Sequence, residues 1–472
     1  MRFRCVGCGQ VVESEDLAPA CQKCGSALLI ERGPGLSLSR GDLERLPPGV
    51  WRYRDLLPKV PVEDVVTLGE GGTPLLHAER LGAELGLSNL LIKDESRNPT
   101  GSFLDRGTTV LVSVARADGV KECGCVTTGN LGASLAAYCA KAGIDARIRI
   151  NPNTDQGKLY QMLAYGAQIE TGARWVPGGR TLAVTAGNPY LLEGEETTGF
   201  EIIQDLGWDT PDLILVPVGT GGHLSMIWRG IAELREAGLV AESGCMLVGV
   251  QLEEPTARGR VQPSYGFRLA ELAESEPLLR GEASRAMAAS GGFSLSTTPG
   301  ETISATGLLA KTEGIFAEPS AASVVAALAE ATRGGRIRRS DRVVCVITGA
   351  GLKDAKSVSR LAREARKMNV GEPYALPSAR IGDTKFALLR LLHERPSYGY
   401  ELRQRLGPER RMSTASVYQH LTELDGLGMV RRKGMVVSKG RERVIYELTR
   451  RGGDYLRIAG RLEHADRPRS YG

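Results

Sequence analysis

At 472 residues, with 42% hydrophobic and 24% charged side chains, the chain exceeds what one compact core accommodates and has the composition of a soluble globular protein of about three domains. No apolar run reaches the roughly 20 residues of a membrane span, and Met1-Arg2-Phe3-Arg4-Cys5 is unlike a secretory signal, so membrane and secreted classes are excluded and a cytoplasmic location is expected. The net charge of +5 is unevenly placed: from Ile381 onward 19 Lys and Arg face 11 Asp and Glu, giving +8, and the rest holds 41 against 44, or −3. A basic tail on a slightly acidic body fits nucleic-acid contact at one end; a solvated basic helix surface is the other reading.

Four of the nine cysteines form two pairs, Cys5-Val6-Gly7-Cys8 and Cys21-Gln22-Lys23-Cys24, with twelve residues between them. Paired Cys-x-x-Cys knuckles let four thiolates converge on a tetrahedral ion, and Gly7 and Gly9 ease the tight turn. The spacing predicts a structural metal ribbon over residues 1–35, with Cys5, Cys8, Cys21 and Cys24 binding zinc rather than iron. Such a site folds a short segment and assigns no activity.

Residues 50–368 alternate short β-branched runs with helical stretches, the pattern of an α/β body with a mostly parallel sheet. Leu213-Ile214-Leu215-Val216-Pro217-Val218 reads as a buried strand running into Gly219-Thr220-Gly221-Gly222-His223, with a helix from Leu224. Val343-Val344-Cys345-Val346-Ile347 reads as another strand, ending at Thr348-Gly349-Ala350-Gly351. A glycine turn between strand and helix exposes backbone N–H groups at the positive end of the helix dipole, which suits a phosphate; alone, it equally suits a tight bend.

The run Lys93-Asp94-Glu95-Ser96-Arg97-Asn98-Pro99-Thr100-Gly101-Ser102-Phe103-Leu104-Asp105-Arg106-Gly107 resembles the active-site segment of threonine synthases. Glu70-Gly71-Gly72-Thr73-Pro74-Leu75, Thr127-Thr128-Gly129-Asn130, Asn188-Pro189-Tyr190, the Gly219 turn and Thr348-Gly349-Ala350-Gly351-Leu352-Lys353-Asp354 occur in that family's order, and the cysteine ribbon accompanies many members. The resemblance covers roughly residues 1–365 and implies a two-lobed body of the fold-type II pyridoxal-phosphate (tryptophan synthase β-like) class. It implies that Gly219, Thr220, Gly221 and Gly222, followed by His223, hold the cofactor phosphate, that Asn130 hydrogen-bonds the ring hydroxyl and that Thr348 contacts the pyridine nitrogen. Thr100, Ser102 and Asn188 would face the substrate. For Asn130 and Thr348, ordinary turn capping is the alternative.

Departures from the family gather at the chemistry. Leu104 stands where the resemblance expects the lysine that forms a Schiff base with pyridoxal phosphate and then moves protons at the substrate carbons. Leucine does neither. Gly-Thr-Gly-Gly-His replaces the usual Gly-Asn-Gly-Gly-Asn, and Leu191-Leu192-Glu193-Gly194-Glu195-Glu196 replaces Arg-Leu-Glu-Gly-Gln-Lys. Glutamates in place of basic groups weaken a site for the phosphate of O-phosphohomoserine. Lys93 is expected on the strand entering the loop, and Lys158 and Lys353 belong to other segments. Pyridoxal phosphate would then bind non-covalently, and an amino acid would occupy the same pocket.

Gly371-Glu372-Pro373-Tyr374-Ala375-Leu376-Pro377-Ser378 reads as a linker over 369–380, and residues 381–460 follow as a winged helix-turn-helix domain. Phe386–Leu392 gives a first helix, Tyr398–Leu402 opens a second, and Ser413 or Thr414 caps a third with Val417, Leu421, Leu424 and Leu427 on one face. Met429–Lys433 and Arg441–Leu448 are strands around a basic turn. The segment is similar to the PadR family of regulators through SYGYELRQRL, STASVYQHLTELDGLGMV and VIYELTRRG. Its third helix would enter the major groove of double-stranded DNA and offer Thr414, Ser416, Gln419 and His420 to base edges. Arg431, Arg432, Lys433, Lys439, Arg441 and Arg443 would meet phosphates. A winged helix used for protein contacts is the alternative.

Together these features suggest a homodimeric, ligand-responsive transcription regulator with a catalytically degenerate threonine-synthase-like sensor. A threonine synthase or related lyase with an attached regulatory domain is the rival, and a non-catalytic partner of a true threonine synthase is a third reading. Residues 253–300 carry no motif that bears on the choice.

Overall fold

Runs of Val, Ile and Leu too apolar for a half-exposed strand become the centre of a six-stranded sheet in the computed structural model. The order is Phe293–Thr297, Met246–Leu252, Leu213–Pro217, Arg342–Ile347, Asn89–Asp94 and Leu75–His77, parallel throughout except for the last pair. A second, parallel sheet of Gln168–Thr171, Asp145–Ile150, Glu122–Thr127 and Thr181–Val184 forms the other lobe. The expected two-lobed α/β body is thus present. The structure describes residues 1–14, 17, 20–32, 39–127, 129–150, 154–171, 181–240, 244–252, 279–354, 383–406, 412–426, 428–438, 441–450, 452–453 and 456. The chain divides into two compact units, Met1–Lys367 and Met368–Gly472. The linker at 369–380, together with Thr128, Leu427 and Lys439, lies outside the described residues. Among those described, no helix is long and apolar enough to cross a membrane.

Two buried helices, Leu104–Ala117 and Pro189–Asp205, carry the segments on which the family resemblance rests. Their backbones come so close that a Cβ on Gly194 would stand 1.9 Å from the Arg106 carbonyl oxygen. Glycine at that crossing is a steric requirement. Beside it the fully buried Arg106 donates from Nε to Glu95 at 2.6 Å and from Nη2 to Glu201 at 2.6 Å, and it also reaches Thr73 and Thr197. Burial pushes the Glu201 carboxyl up, but the charges of Arg106 and Lys93 outweigh it and hold the group well below the usual carboxylate range. Lys93 lies on its expected strand, with Nζ 2.9 Å from Glu201, 2.8 Å from Asp205 and 2.6 Å from the Thr73 carbonyl oxygen. These contacts commit it to the core and leave it no part in ligand chemistry.

The amino-terminal ribbon is a three-stranded antiparallel sheet with Arg2–Cys5 between Val11–Glu13 and Leu28–Ile30. Phe3 meets Tyr190 edge-on at 6.2 Å, and Ala27 and Leu29 share an apolar cluster with Leu192, Met226 and Leu279. Arg32 then pairs with Glu193, Glu196 and Glu233, which fastens the ribbon to helix Pro189–Asp205.

In the second unit, helices Asp383–Glu394, Gly399–Arg405 and Thr414–Gly426 enclose Leu388, Leu392, Leu402, Val417, Leu421 and Leu424. Ser413 is the cap of the third helix, its Oγ accepting from Ser416 N–H at 3.1 Å. Strands Val430–Ser438 and Arg441–Leu448 pair antiparallel as the wing. Tyr398, expected to open the second helix, instead joins Ser397 in a short third strand against Arg441–Leu448. Two residues give too short a signal to be read from sequence.

Candidate functional site

The four ribbon cysteines place their sulfurs within 4.8 Å of one another, with Cys5 Sγ 3.4 Å from Cys24 Sγ and Cys8 Sγ 3.9 Å from Cys21 Sγ. A tetrahedral thiolate site with bonds of about 2.3 Å has edges of about 3.8 Å. The donor set therefore fits a closed structural site, and the Ser26 hydroxyl beside Cys24 holds that thiol down at about 6, which favours the thiolate that a metal needs. Cys8→Ser with Cys24→Ser should abolish metal retention, read as the metal-to-protein ratio after dialysis; an unchanged ratio would refute the assignment.

The glycine turn after Leu213–Pro217 opens the helix Gly222–Glu236, and Gly221 has φ of 90°. A Cβ there would lie 2.9 Å from the Leu279 carbonyl oxygen, and one on Gly222 would lie 2.9 Å from Leu192 Cδ2. The bare backbone and the helix N-terminus together make a cradle that fits a phosphate group. Gly219, Thr220, Gly221 and Gly222 are the residues that would hold the phosphate end of pyridoxal phosphate, the cofactor that the resemblance implies. When bound it supplies an electron sink; position 104, where the resemblance expects the amine, is leucine.

His223 follows the cradle. Its ring stacks on Phe103 with centroids 4.0 Å apart and planes 12° apart, and Nε2 lies 3.0 Å from Thr198 Oγ1. Burial pushes its pKa down to about 3, so it is a neutral ring at physiological pH. Glu196, which stands where the resemblance expects a lysine, is matched by Arg32 and Arg229, as is its neighbour Glu193. Glu195 alone lies at the cradle, with Oε2 3.5 Å from where a Cβ on Gly222 would stand, and burial pushes its carboxyl well above the usual range. A shift in that direction weakens the expected repulsion.

The loop before Leu104 joins the turn after Arg342–Ile347. Phe103 N–H donates to the Thr348 carbonyl oxygen at 3.1 Å, Ser102 bridges to Gly349, and Ala350 N–H donates to the Gly101 carbonyl oxygen at 2.9 Å. Leu104 is buried and begins its helix, with Ser102 Oγ accepting its N–H at 3.4 Å. Thr100 differs from expectation: its hydroxyl and its N–H are both committed to the Asp105 carboxylate, at 2.7 and 2.6 Å. Asn188 caps helix Pro189–Asp205 through Oδ1, 3.0 Å from Tyr190 N.

Asn130, expected at the cofactor ring, donates from Nδ2 to Glu318 Oε1 at 2.8 Å. Lys158 Nζ stands 3.3 Å from Glu318 Oε2, and a Cβ on Gly129 would overlap the Lys158 chain at 2.2 Å. Lys353 Cδ lies 3.4 Å from where a Cβ on Gly101 would stand. Lys158, Lys353, Glu318 and Gln161 thus surround the same turn, a convergence that spacing does not reveal because separate segments supply them. The buried Glu-Pro-Ser at the start of helix Pro319–Arg333 was the sole signal available for Glu318.

In the second unit Gln419 is exposed, whereas Thr414, Ser416 and His420 are half-buried. Gln419 Nε2 donates to Glu423 Oε1 at 3.3 Å, His420 Nδ1 is 3.6 Å from Glu423 Oε2, and Thr414 Oγ1 accepts from Arg403 at 3.1 Å. Arg431 and Lys433 pair with Glu447 at 2.7 and 3.0 Å, and Arg432 approaches Asp425 at 3.8 Å. Exposed pairs of this kind contribute little to stability. Arg443 departs from expectation, packing over Tyr398 and Tyr400 at 5.0 and 4.8 Å. It ties the wing to the second helix. The strand contains Arg441, whose side chain lies outside the described set.

Residues 66–349 match the family described as pyridoxal-phosphate dependent enzyme, and residues 388–458 match the PadR-like family of transcriptional regulators. The chain is 35% identical over 392 residues to the threonine synthase of Methanocaldococcus jannaschii, covering 78% of this chain and 96% of that protein. It is 34% identical over 391 residues to the threonine synthase of Methanosarcina acetivorans, covering 77% and 94%. The solved processed form of threonine deaminase isoform 2 from Solanum lycopersicum superposes with a TM-score of 0.52 at 18% identity, over 71% of this chain and 99% of that one, a likeness of fold. By its sequence, then, the chain belongs to the pyridoxal-phosphate dependent enzyme family, as a relative of threonine synthases that also carries a PadR-like winged-helix domain.

Proposed function

We propose that this protein is a ligand-responsive transcription regulator in which a catalytically degenerate threonine-synthase-like body senses an amino acid or pyridoxal phosphate. The observation that supports the reading is a leucine at position 104, where the family resemblance expects the Schiff-base lysine, in a chain that also bears a PadR-like domain. Losing a catalytic nucleophile costs up to roughly a millionfold in rate in a well-studied hydrolase, whereas binding through a phosphate cradle survives the loss. A body that binds without turnover suits a sensor. Zinc in the ribbon, non-covalent pyridoxal phosphate and a homodimer on a two-fold operator complete the proposal. Ligand shifts the dimer between arrangements only to the extent that it binds them with different affinity.

The body's own residues support binding rather than proton transfer. The cradle would orient a phosphate, Phe103 stacks on a neutral His223 next to it, and the leucine at position 104 has no proton to give or take. Gln419 on the third helix would read a base edge, and Arg431, Arg432 and Lys433 would neutralise phosphates.

The test is selection of a bound fragment from a randomised DNA pool by the full chain, followed by titration with and without threonine and pyridoxal phosphate. Replacing Arg431 and Arg432 by alanine should weaken binding to all sequences alike. The slope of log affinity against log salt should fall by about one unit for each phosphate that is no longer neutralised. Failure to select any fragment, or affinity indifferent to every ligand, removes the reading. An active threonine synthase is the second reading, favoured by the names of the relatives that match most of their own length. Phosphate release from O-phosphohomoserine at a rate approaching a genuine threonine synthase would establish it instead.

A further inference from the structure

We propose that the body holds a subsite for a free α-amino acid around the Thr100–Gly101 turn, with Lys353 and Lys158 receiving its carboxylate and Glu318 and Gln161 receiving its ammonium. The inference rests on the sensor reading and names the class of ligand sensed. The residues come from helix Gln156–Ala164, the N-cap of helix Pro319–Arg333 and the short helix Gly351–Lys353. Gln161 Nε2 donates to the Thr100 carbonyl oxygen at 3.2 Å, and Lys353 packs its chain on Gly101. The helix bearing Lys158 and Gln161 is held against Lys353 by Gly157, where a Cβ would stand 2.9 Å from the Lys353 carbonyl oxygen.

The groups left over are complementary. Lys353 is 4% exposed, and its Nζ has no hydrogen-bond partner among the described residues; the buried Oε1 of Gln161 has none either. Among the described residues, Glu318 Oε2 has no hydrogen bond and only the 3.3 Å ion pair with Lys158. Buried polar atoms are almost always partnered, so an orphan donor and an orphan acceptor at one turn mark the place of a polar guest.

Charge decides which guest. Lys158 and Lys353 are balanced by Glu318 and by Asp105, whose oxygens already accept from Thr100 and Ser134. A neutral cluster of this kind favours neither a bare anion nor a bare cation. A zwitterion leaves the balance intact, its carboxylate accepting from Lys353 while its ammonium donates to Gln161 and Glu318. Burial holds the Lys353 amine down at about 8 against the pull of Glu318 and Asp105, the state of an amine lacking a close anionic partner. A bound carboxylate supplies one. No covalent step is involved.

The test is calorimetric titration of the full chain with each common α-amino acid and L-homoserine, beside inorganic phosphate and 3-hydroxybutyrate, which has a carboxylate and no ammonium. At least one α-amino acid should bind, and Lys353→Met and Gln161→Leu should each weaken it tenfold or more, with phosphate and 3-hydroxybutyrate not competing. Gln161→Leu alters no charge and keeps the test decisive if Lys353→Met does not fold. Phosphate binding that depends on Lys353 would overturn the proposal in favour of a simple anion site. Absence of binding by every amino acid, or binding indifferent to both variants, would overturn it in favour of ordered water. DNA binding on the same samples separates the two readings: DNA bound without amino-acid uptake removes only the subsite, and uptake without DNA binding removes only the regulator.

Discussion

Leu104→Lys, incubated with pyridoxal phosphate and reduced with borohydride, will carry a pyridoxyl group at position 104, and the native protein will carry none there. The residue opens helix Leu104–Ala117 directly after Phe103, whose ring stacks on His223 beside the Gly222 helix N-terminus. An amine on that helix start is thus carried towards the phosphate cradle by elements already in place. Lysine in this buried position keeps its stem in apolar contact and is driven towards its neutral, nucleophilic form by desolvation. The change is from no covalent attachment to near-stoichiometric attachment, read by peptide mass. A label on another lysine, or none on either protein, would show that position 104 does not face the aldehyde and would undercut the sensor reading at its base.

Arg106→Met will destabilise the body by about 3–5 kcal/mol, the scale seen when one partner of a buried ion pair is removed. Arg106 is 0% exposed and is the cation between Glu95 and Glu201. Without it Glu95 keeps, among the described residues, only neutral hydrogen-bond neighbours, Thr73 and Asn98, and the more distant charge of Lys93 as its sole cationic support. Against a total stability of roughly 5–15 kcal/mol this is a large share. Arg106→Lys should recover part of it, because an ammonium restores charge and loses the two-pronged geometry. Thermal or denaturant unfolding measures both, and a loss under about 1 kcal/mol for Arg106→Met would mean that the network does not hold the two helices.

Legibility from sequence tracked how local each signal is. Two Cys-x-x-Cys pairs announce a thiolate cluster because each knuckle is closed by its own turn, and the sulfurs do lie within 4.8 Å. Leu213–Pro217 and Arg342–Ile347 announce buried parallel strands because only strands covered on both faces are apolar throughout. Val417, Leu421 and Leu424 mark the inner face of the third helix by period alone, and all three are fully buried.

Partners drawn from distant segments have no such signature. That Lys93 belongs to Glu201 and Asp205, that Arg443 covers two tyrosines, and that Arg32 and Arg229 neutralise Glu193 and Glu196 depend on which chains the fold brings alongside. Glu195 and Glu196 read from sequence as departures that weaken a phosphate site. Packing pairs Glu196 with arginines and leaves Glu195 a carboxyl that burial drives towards its uncharged form. The same holds for Lys158 and Lys353, 195 positions apart, which meet only because helix Gln156–Ala164 packs on Gly351–Lys353. Spacing and period were enough for the ribbon, the α/β body and the winged helix, since those patterns are written within single elements, whereas the meaning of the leucine at 104 came from the family resemblance alone. Which charges are silenced, and which buried amine is left to receive a guest, was decided by tertiary packing, because burial and pairing are properties of neighbours rather than of residues.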